Sequence, residues 1–276
     1  MSPRDEWTLV TDGLDYPESL RWHQGALWCS DFYQRRVLRV VGGSCETVLP
    51  VLGQPSGLGW LPDGRLLVVD MHGKRVLRVE RDQQVQLHAD LSDFCTGLAN
   101  DLVVTSDGDA YVGHLGFDFF GGERFRTAEL LHVSPDGYVE VAADGLAVPN
   151  GCIVSPDRTE LVVAETFAGG LTRFDRDEGG KLSGRAPWAK LPGASPDGIC
   201  SAGDGAIWVA DPVGSRVMKV QRGGIVEMEI ATPAPVYSCA LGGHEGTTLF
   251  AGVADGHDPA VTPPGTGCIL SVELDG

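Results

Sequence analysis

Positive charge is scarce in this chain. Against 38 Asp and Glu stand only 21 Lys and Arg, giving a net charge of −17 and a pI near 4.6. Such a surface repels phosphate backbones and anionic membranes, so nucleic acid is excluded as a partner and a membrane surface is not expected. Long apolar runs are missing as well: none approaches the roughly 18 residues that span a bilayer, and the start MSPRDEWTLV lacks the apolar segment of a secretory signal. A cytoplasmic location is expected. Cysteine is sparse, with 7 residues and no C-x-x-C, which excludes a disulfide framework and a zinc site of closely spaced thiolates. Cys200 in ICSAG and Cys268 in GCILSV sit among apolar neighbours, and the seven read as small, reduced core residues.

Turn formers, in contrast, are abundant. The 38 glycines and 17 prolines are spread along the whole chain, which disfavours a helix bundle and favours many short elements joined by tight turns. A hydrophobic share of 42% excludes disorder. Internal similarity then decides the fold class. One pattern, a polar start, an apolar strand, a turn and a second β-rich strand, occurs as ESLRWHQGALWCSD from Glu18, SGLGWLPDGRLLVVD from Ser56 and NDLVVTSDGDAYVGH from Asn100. It returns as NGCIVSPDRTELVVAE from Asn150, DGICSAGDGAIWVAD from Asp197 and SCALGGHEGTTLFAGV from Ser238, at steps of 38, 44, 50, 47 and 41 residues.

That period, with two more strands legible in connecting stretches such as RRVLRVVGGSCETVL and SRVMKVQRGGIVEMEI, fits four-stranded propeller blades. The expectation is an all-β, six-bladed β-propeller forming one domain over residues 1–276. The lone strand EWTLVTDG precedes the first repeat, and GCILSVELDG gives the last repeat only one outer strand. Pairing the two closes the ring and hides its edges.

In each hairpin the first and last positions return to one face of the ring. Glu18, Ser56, Asn100, Asn150, Asp197 and Ser238 should therefore surround one mouth of the central channel. Four of them offer oxygen: the carboxylates of Glu18 and Asp197 and the amide carbonyls of Asn100 and Asn150. Two negative charges with no nitrogen or sulfur suit a hard divalent cation such as Ca²⁺, Mg²⁺ or Mn²⁺. His114 ends the second strand of the third repeat, where it is a candidate proton carrier beside Asn100; the matching Asp31, Asp70, Glu165 and Asp211 favour a plain strand-end role. Phe117–Glu129, with four phenylalanines and two adjacent glycines, is either a lid over the mouth or an aromatic loop packed between blades. The late loop ADGHDPAVTPPGTG, with His257, is a second candidate rim.

The motifs YPESLRW around Glu18, the pair Asn100 and Asp101, VPNGCIVSPD around Asn150 and SPDGICSAGDGAIWVAD around Asp197 resemble the senescence marker protein (regucalcin) and gluconolactonase family of six-bladed propellers. The resemblance covers nearly the whole chain. It implies Glu18, Asn150 and Asp197 as metal ligands, Asn100 as a ligand or substrate-orienting amide, and Asp197 also as general base. Sugar-lactone members tend to carry Arg two residues before the position of Asn100, where this chain has Leu98. A less polar pocket is therefore expected.

The resulting expectation is a hydrolase that opens a lactone, not a strictly sugar-specific one. One divalent ion, with Ca²⁺ the first choice and Mg²⁺, Mn²⁺ or Zn²⁺ as alternatives, would act as Lewis acid while Asp197 activates water on a small-molecule substrate. Two other readings stay open: an organophosphate or aryl-ester hydrolase or non-hydrolytic metal-assisted enzyme of natural-product metabolism, and a calcium-binding regulatory protein without turnover.

Overall fold

Strand after strand of this chain alternates apolar side chains to both sides, and each side finds a different neighbour. The structure, a computed structural model, describes residues 7–274. Strand β1 (Thr8–Leu14) is followed by β2 (Pro17–His23), β3 (Ala26–Asp31), β4 (Arg36–Val41) and β5 (Ser44–Pro50), and then by β6 (Pro55–Trp60), β7 (Leu66–Asp70), β8 (Arg75–Val79) and β9 (Val85–Asp90). The third blade comprises β10 (Ala99–Val104), β11 (Ala110–His114), β12 (Ala128–Val133) and β13 (Val139–Leu146), and the fourth β14 (Pro149–Val154), β15 (Glu160–Glu165), β16 (Gly170–Arg176) and β17 (Leu182–Lys190). The fifth holds β18 (Ile199–Ser201), β19 (Ile207–Asp211), β20 (Arg216–Gln221) and β21 (Ile225–Ala231); β22 (Val236–Gly242), β23 (Thr248–Val253) and β24 (Gly267–Glu273) begin the sixth.

Five sheets run in chain order, and the sixth runs β1-β24-β23-β22, so the N-terminal strand completes the last blade as the sequence implied. Every pair is antiparallel, as short hairpin connections require. The β2–β3 turn shows the local chemistry: Gln24 and Gly25 both take positive φ, 49° and 75°, the geometry that matches the strand twist across a two-residue hairpin.

Between adjacent blades lies a separate apolar core. In β19, Ile207 and Val209 face the fourth blade beside Val162 and Leu171, whereas Trp208 and Ala210 face the sixth beside Cys239 and Leu249. The period of two thus makes each middle strand a shared wall. At the junction of ends, Leu14 of β1 and Ile269 of β24 pack with Leu20, Leu27 and Leu38 of the first blade, which secures the closure by burial as well as by backbone hydrogen bonds. All seven cysteines are unpaired. Cys29, Cys95, Cys152 and Cys239 are buried as expected, but Cys45 is exposed because it lies just past the outer β4–β5 turn, away from any blade interface. Among the described residues no helix is long and apolar enough to cross a membrane.

Candidate functional site

The innermost strands are not regular where they begin. Register shifts fall between Glu18 and Arg21, between Ala99 and Leu102, and between Pro149 and Cys152. Such bulges bend a strand and re-aim its side chains, and here they turn Glu18, Asn100 and Asn150 into the channel. Glycine lets the innermost backbones converge: a Cβ on Gly151 would lie 2.6 Å from Ile199 N and 2.7 Å from Asp197 O, and one on Gly198 would lie 2.8 Å from Ser238 Cα.

Glu18, Asn100, Asn150 and Asp197 line one cavity of about 490 Å³. All four are buried. Loops on the same face form the walls, among them Tyr16, Phe32, Met71, Phe119, Phe167 and Val213, joined by Tyr237 at the start of β22. The two amides are oriented by partners with no choice of role. Asn100 Nδ2 donates to Pro149 O at 3.4 Å. Asn150 Nδ2 donates to Thr166 Oγ1 at 3.3 Å, and that hydroxyl spends its own proton on Pro196 O at 2.8 Å, so it can only accept. Both side-chain carbonyl oxygens are thereby the atoms left to face a ligand.

Glu18 Oε2 accepts from Ser19 N at 2.8 Å. Among the described residues, Asp197 Oδ1 is buried with no hydrogen-bond partner. Burial, then the charges of Asp197 and Asp101, push the Glu18 carboxyl well above the usual range, with Ser19 N and Arg21 partly offsetting. Burial, then Asp101, push Asp197 up in the same way, and the Asn150 amide pulls it partway back. Tyr16 is likewise raised, by burial and by Asp197 and Glu18. A buried carboxylate oxygen without a partner is expensive to leave so, and two carboxylates with two amide carbonyls are the donor set of a hard divalent ion. The residues present fit such an ion. Among the described residues no three His, Cys, Asp or Glu side chains converge as a metal cluster, because half of this donor set is amide.

Beside this quartet sits a buried ion pair. Arg21 Nη2 meets Asp101 Oδ1 at 2.8 Å and Oδ2 at 3.0 Å, and it also donates to Leu102 O at 2.9 Å. Asp101 accepts in addition from Ser19 Oγ at 2.9 Å and Leu102 N at 2.8 Å. Arg21 therefore answers Asp101 and leaves Glu18 and Asp197 without a cation of their own.

Residues 16–254 match the model of the SMP-30/gluconolactonase/LRE-like region. The chain belongs to this family. It is 28% identical over 200 residues to the pentonolactonase XacC of Haloferax volcanii, a match covering 70% of this chain and 65% of that protein. The chain spans less than two thirds of the length of the curated relatives it matches. Among solved structures, a gluconolactonase of Xanthomonas campestris superposes with a TM-score of 0.78 at 26% identity, covering 98% of this chain and 89% of that one. A calcium-binding protein, regucalcin, of Agrobacterium tumefaciens gives 0.81 at 18% identity, covering 98% and 95%, a likeness of fold alone.

Within this SMP-30-like propeller the six strand-start positions divide. Ser56 and Ser238 do not line the cavity; both are buried. Ser238 Oγ accepts from Leu20 N at 2.8 Å, and the carbonyl of Ser56 accepts from Ser30 Oγ at 2.6 Å. His114, the candidate proton carrier, is not among the residues that line the cavity. It lies opposite Ala99 in the β10–β11 register, so its ring shares the face of Ala99 and not that of Asn100. Wholly buried, it accepts from Gly116 N at 3.1 Å through Nδ1 and meets Glu129 Oε2 at 3.0 Å through Nε2. Burial lowers its pKa. Its counterparts act alike: Asp31, Asp70 and Asp211 bind Arg36, Arg75 and Arg216 at the start of the next strand.

The Phe117–Glu129 loop does reach the cavity. Phe117, Phe119 and Phe120 line it, as do Asp255, Gly256 and His257 from the late loop. The two loops meet there, with the Phe119 and His257 rings 5.6 Å apart, and Tyr33 OH donates to His257 O. Leu98 lies outside the lining, packed against the cluster of Tyr16, Phe32, Met71 and Tyr237 that builds one wall. Sequence reading missed Arg21, Tyr16, Thr166, Phe167 and Val213. Arg21 stands inside YPESLRW, so only its partner was hidden.

Proposed function

We propose that this protein is a divalent-metal-dependent hydrolase that opens a lactone. The observation that carries the reading is the unpartnered, buried Asp197 Oδ1, set with Glu18, Asn100 and Asn150 at the bottom of a ligand-sized cavity. Family membership and a lactonase among the similar structures support the reaction class. Glu18, Asn150 and Asp197 would hold the ion, with Asn100 as a fourth oxygen or as the amide that orients the substrate; when bound, the ion supplies Lewis acidity to the ester carbonyl and to the oxyanion that develops on it.

The remaining steps belong to the chain. The channel backbone and the ion pair of Arg21 with Asp101 fix the four oxygens in place. Asp197 takes a proton from the attacking water as the new C–O bond forms. Collapse of the tetrahedral intermediate breaks the ring C–O bond, and Asp197 returns the proton to the leaving alkoxide. The apolar walls exclude competing water.

The test is turnover of a panel of γ- and δ-lactones by protein stripped with chelator and reloaded with Ca²⁺, Mg²⁺, Mn²⁺ or Zn²⁺. Metal-restored hydrolysis that falls about 10²–10⁴-fold in Asp197→Asn is the expected result. Tight metal binding without turnover of any cyclic ester would move the protein to the regulatory, calcium-binding reading. An unchanged kcat in the metal-loaded variant would end the assignment of Asp197 as base.

A further inference from the structure

We propose that the substrate is an uncharged lactone bearing a long apolar substituent, its ring at the Glu18–Asp197 end and its substituent laid along Phe119, Phe167 and Val213 toward the mouth. The inference rests on the lactonase reading and names the substrate class of that same site.

Polarity within the cavity follows the elements that build it. Glu18, Asn100 and Asn150 come from the innermost strands β2, β10 and β14 and Asp197 from just before β18, while the connecting loops contribute mainly phenylalanine, valine, proline and methionine. A five- or six-membered lactone fills only a fraction of about 490 Å³, a volume within the range that encloses a drug-sized molecule. What occupies the rest meets a connected aromatic wall. Phe119 and Phe167 stand 6.1 Å apart in T-shaped contact, Phe125 and Phe167 5.6 Å, and Phe117 and Phe167 6.0 Å.

Along Phe119, Phe167 and Val213 few groups can serve sugar hydroxyls; the other polar atoms of the lining belong to Tyr16, Ser195, Tyr237, Asp255 and His257. The Thr166 hydroxyl is already committed to Pro196 O and Asn150, and the His257 ring lies against Phe119. Hydroxyls left without partners in such surroundings count strongly against binding. Among the described residues no lysine or arginine lines the cavity, and its charged residues Glu18, Asp197 and Asp255 are acidic. A carboxylate, sulfonate or phosphate on the substituent would be repelled. Apolar surface also continues past the opening, where Phe167 is 49% and Val213 72% exposed. Side chains of this kind clustered at the rim of a cavity mark what a ligand covers.

The experiment compares γ-butyrolactone, γ-octalactone, γ-dodecalactone and D-glucono-δ-lactone on metal-loaded protein, first by displacement of an environment-sensitive apolar dye and then by hydrolysis. Each methylene added to the substituent should raise kcat/KM about fourfold until the wall is covered, and D-glucono-δ-lactone should fall at least ~100-fold below γ-octalactone. In Phe167→Ala and Phe119→Ala the gain per methylene should drop to about twofold, with melting temperature confirming the fold. A flat response to chain length, or preference for D-glucono-δ-lactone, overturns the substrate class and leaves the lactonase reading standing. If nothing is hydrolysed, the lactonase reading fails and binding decides alone: displacement by γ-dodecalactone but not by D-glucono-δ-lactone upholds the apolar ligand class, and any other pattern overturns it.

Discussion

Replacing Asp197 by asparagine should make the metal-free protein more stable while removing what it is built to bind. The native carboxylate is buried, its Oδ1 has no partner, and Asp101 adds repulsion. Because its folded pKa is raised, protonation is favoured by folding: stability from this group is full below the unfolded value near 3.9 and is lost as pH rises through the raised native value. Once ionised, the carboxylate is a liability that a cation would relieve. Asparagine keeps the shape without the charge. Removing an unpaired buried charge at the expense of a neutral amide should gain about 1–2 kcal/mol. Over 276 residues, an unfolding entropy of roughly 2.1 cal/mol/K per residue converts each kcal/mol into about 1.7 °C, so the chelator-treated variant should melt roughly 2–4 °C above the parent. Calcium at 100 times its Kd should raise the parent by about 2.7 kcal/mol, near 5 °C, and the variant by far less. The order of the two melting curves therefore inverts on adding metal. Lowering the pH in chelator should narrow the gap, as the parent carboxyl takes up its proton. A chelator-treated variant that melts below the parent, or one that gains as much from calcium, would refute the account.

Two further outcomes follow from the backbone and the ion pair. Gly151→Ala places a Cβ 2.6 Å from Ile199 N, against backbone that cannot swing away; a loss of about 1–3 kcal/mol, read as a melting temperature lower by roughly 2–5 °C, is expected, and no change would show that the fourth and fifth blades are less tightly apposed. Arg21→Met strands the buried Asp101 and should cost about 3–5 kcal/mol by denaturant titration. Adding Asp101→Asn to it should restore most of that loss, and failure to do so would mean that Arg21 acts by packing alone.

The blade repeat was legible because a propeller is built from near neighbours in sequence: alternation, turn and spacing are all local signals. The closure was legible by subtraction, one strand short at one end and one spare at the other. The quartet could be found because blade equivalence transfers position from repeat to repeat. Position alone misleads, however, when the side chain is short or the parity is wrong. Ser56 and Ser238 occupy the same step as Glu18 but spend polar groups on a neighbouring blade, Ser56 O on Ser30 and Ser238 Oγ on Leu20 N, and His114 is placed by its pairing with Ala99 on the far side of its strand. The walls were hidden for a different reason. Tyr16, Met71, Phe167 and Val213 come from four different inter-strand connections and Tyr237 from the start of β22, and they meet only because the ring closes, so no window of sequence contains the contact.

That closure also sets the order in which the molecule can come into being. Thr8 lies opposite Ser271, so β1 must wait for more than 250 later residues, tens of seconds at a synthesis rate of roughly 5–20 residues per second. Five blades can stack as they emerge, each on its predecessor. The sixth cannot, for its core draws on Leu14 at one extreme and Ile269 at the other, against Leu20 and Leu27 of the first blade. Until that moment β24 offers an open edge to any passing strand, and Tyr237, Asp255 and His257 have not been brought round to Glu18. A nascent chain thus acquires its whole binding chamber in a single late event, and the interval before it is when a chaperone would matter most.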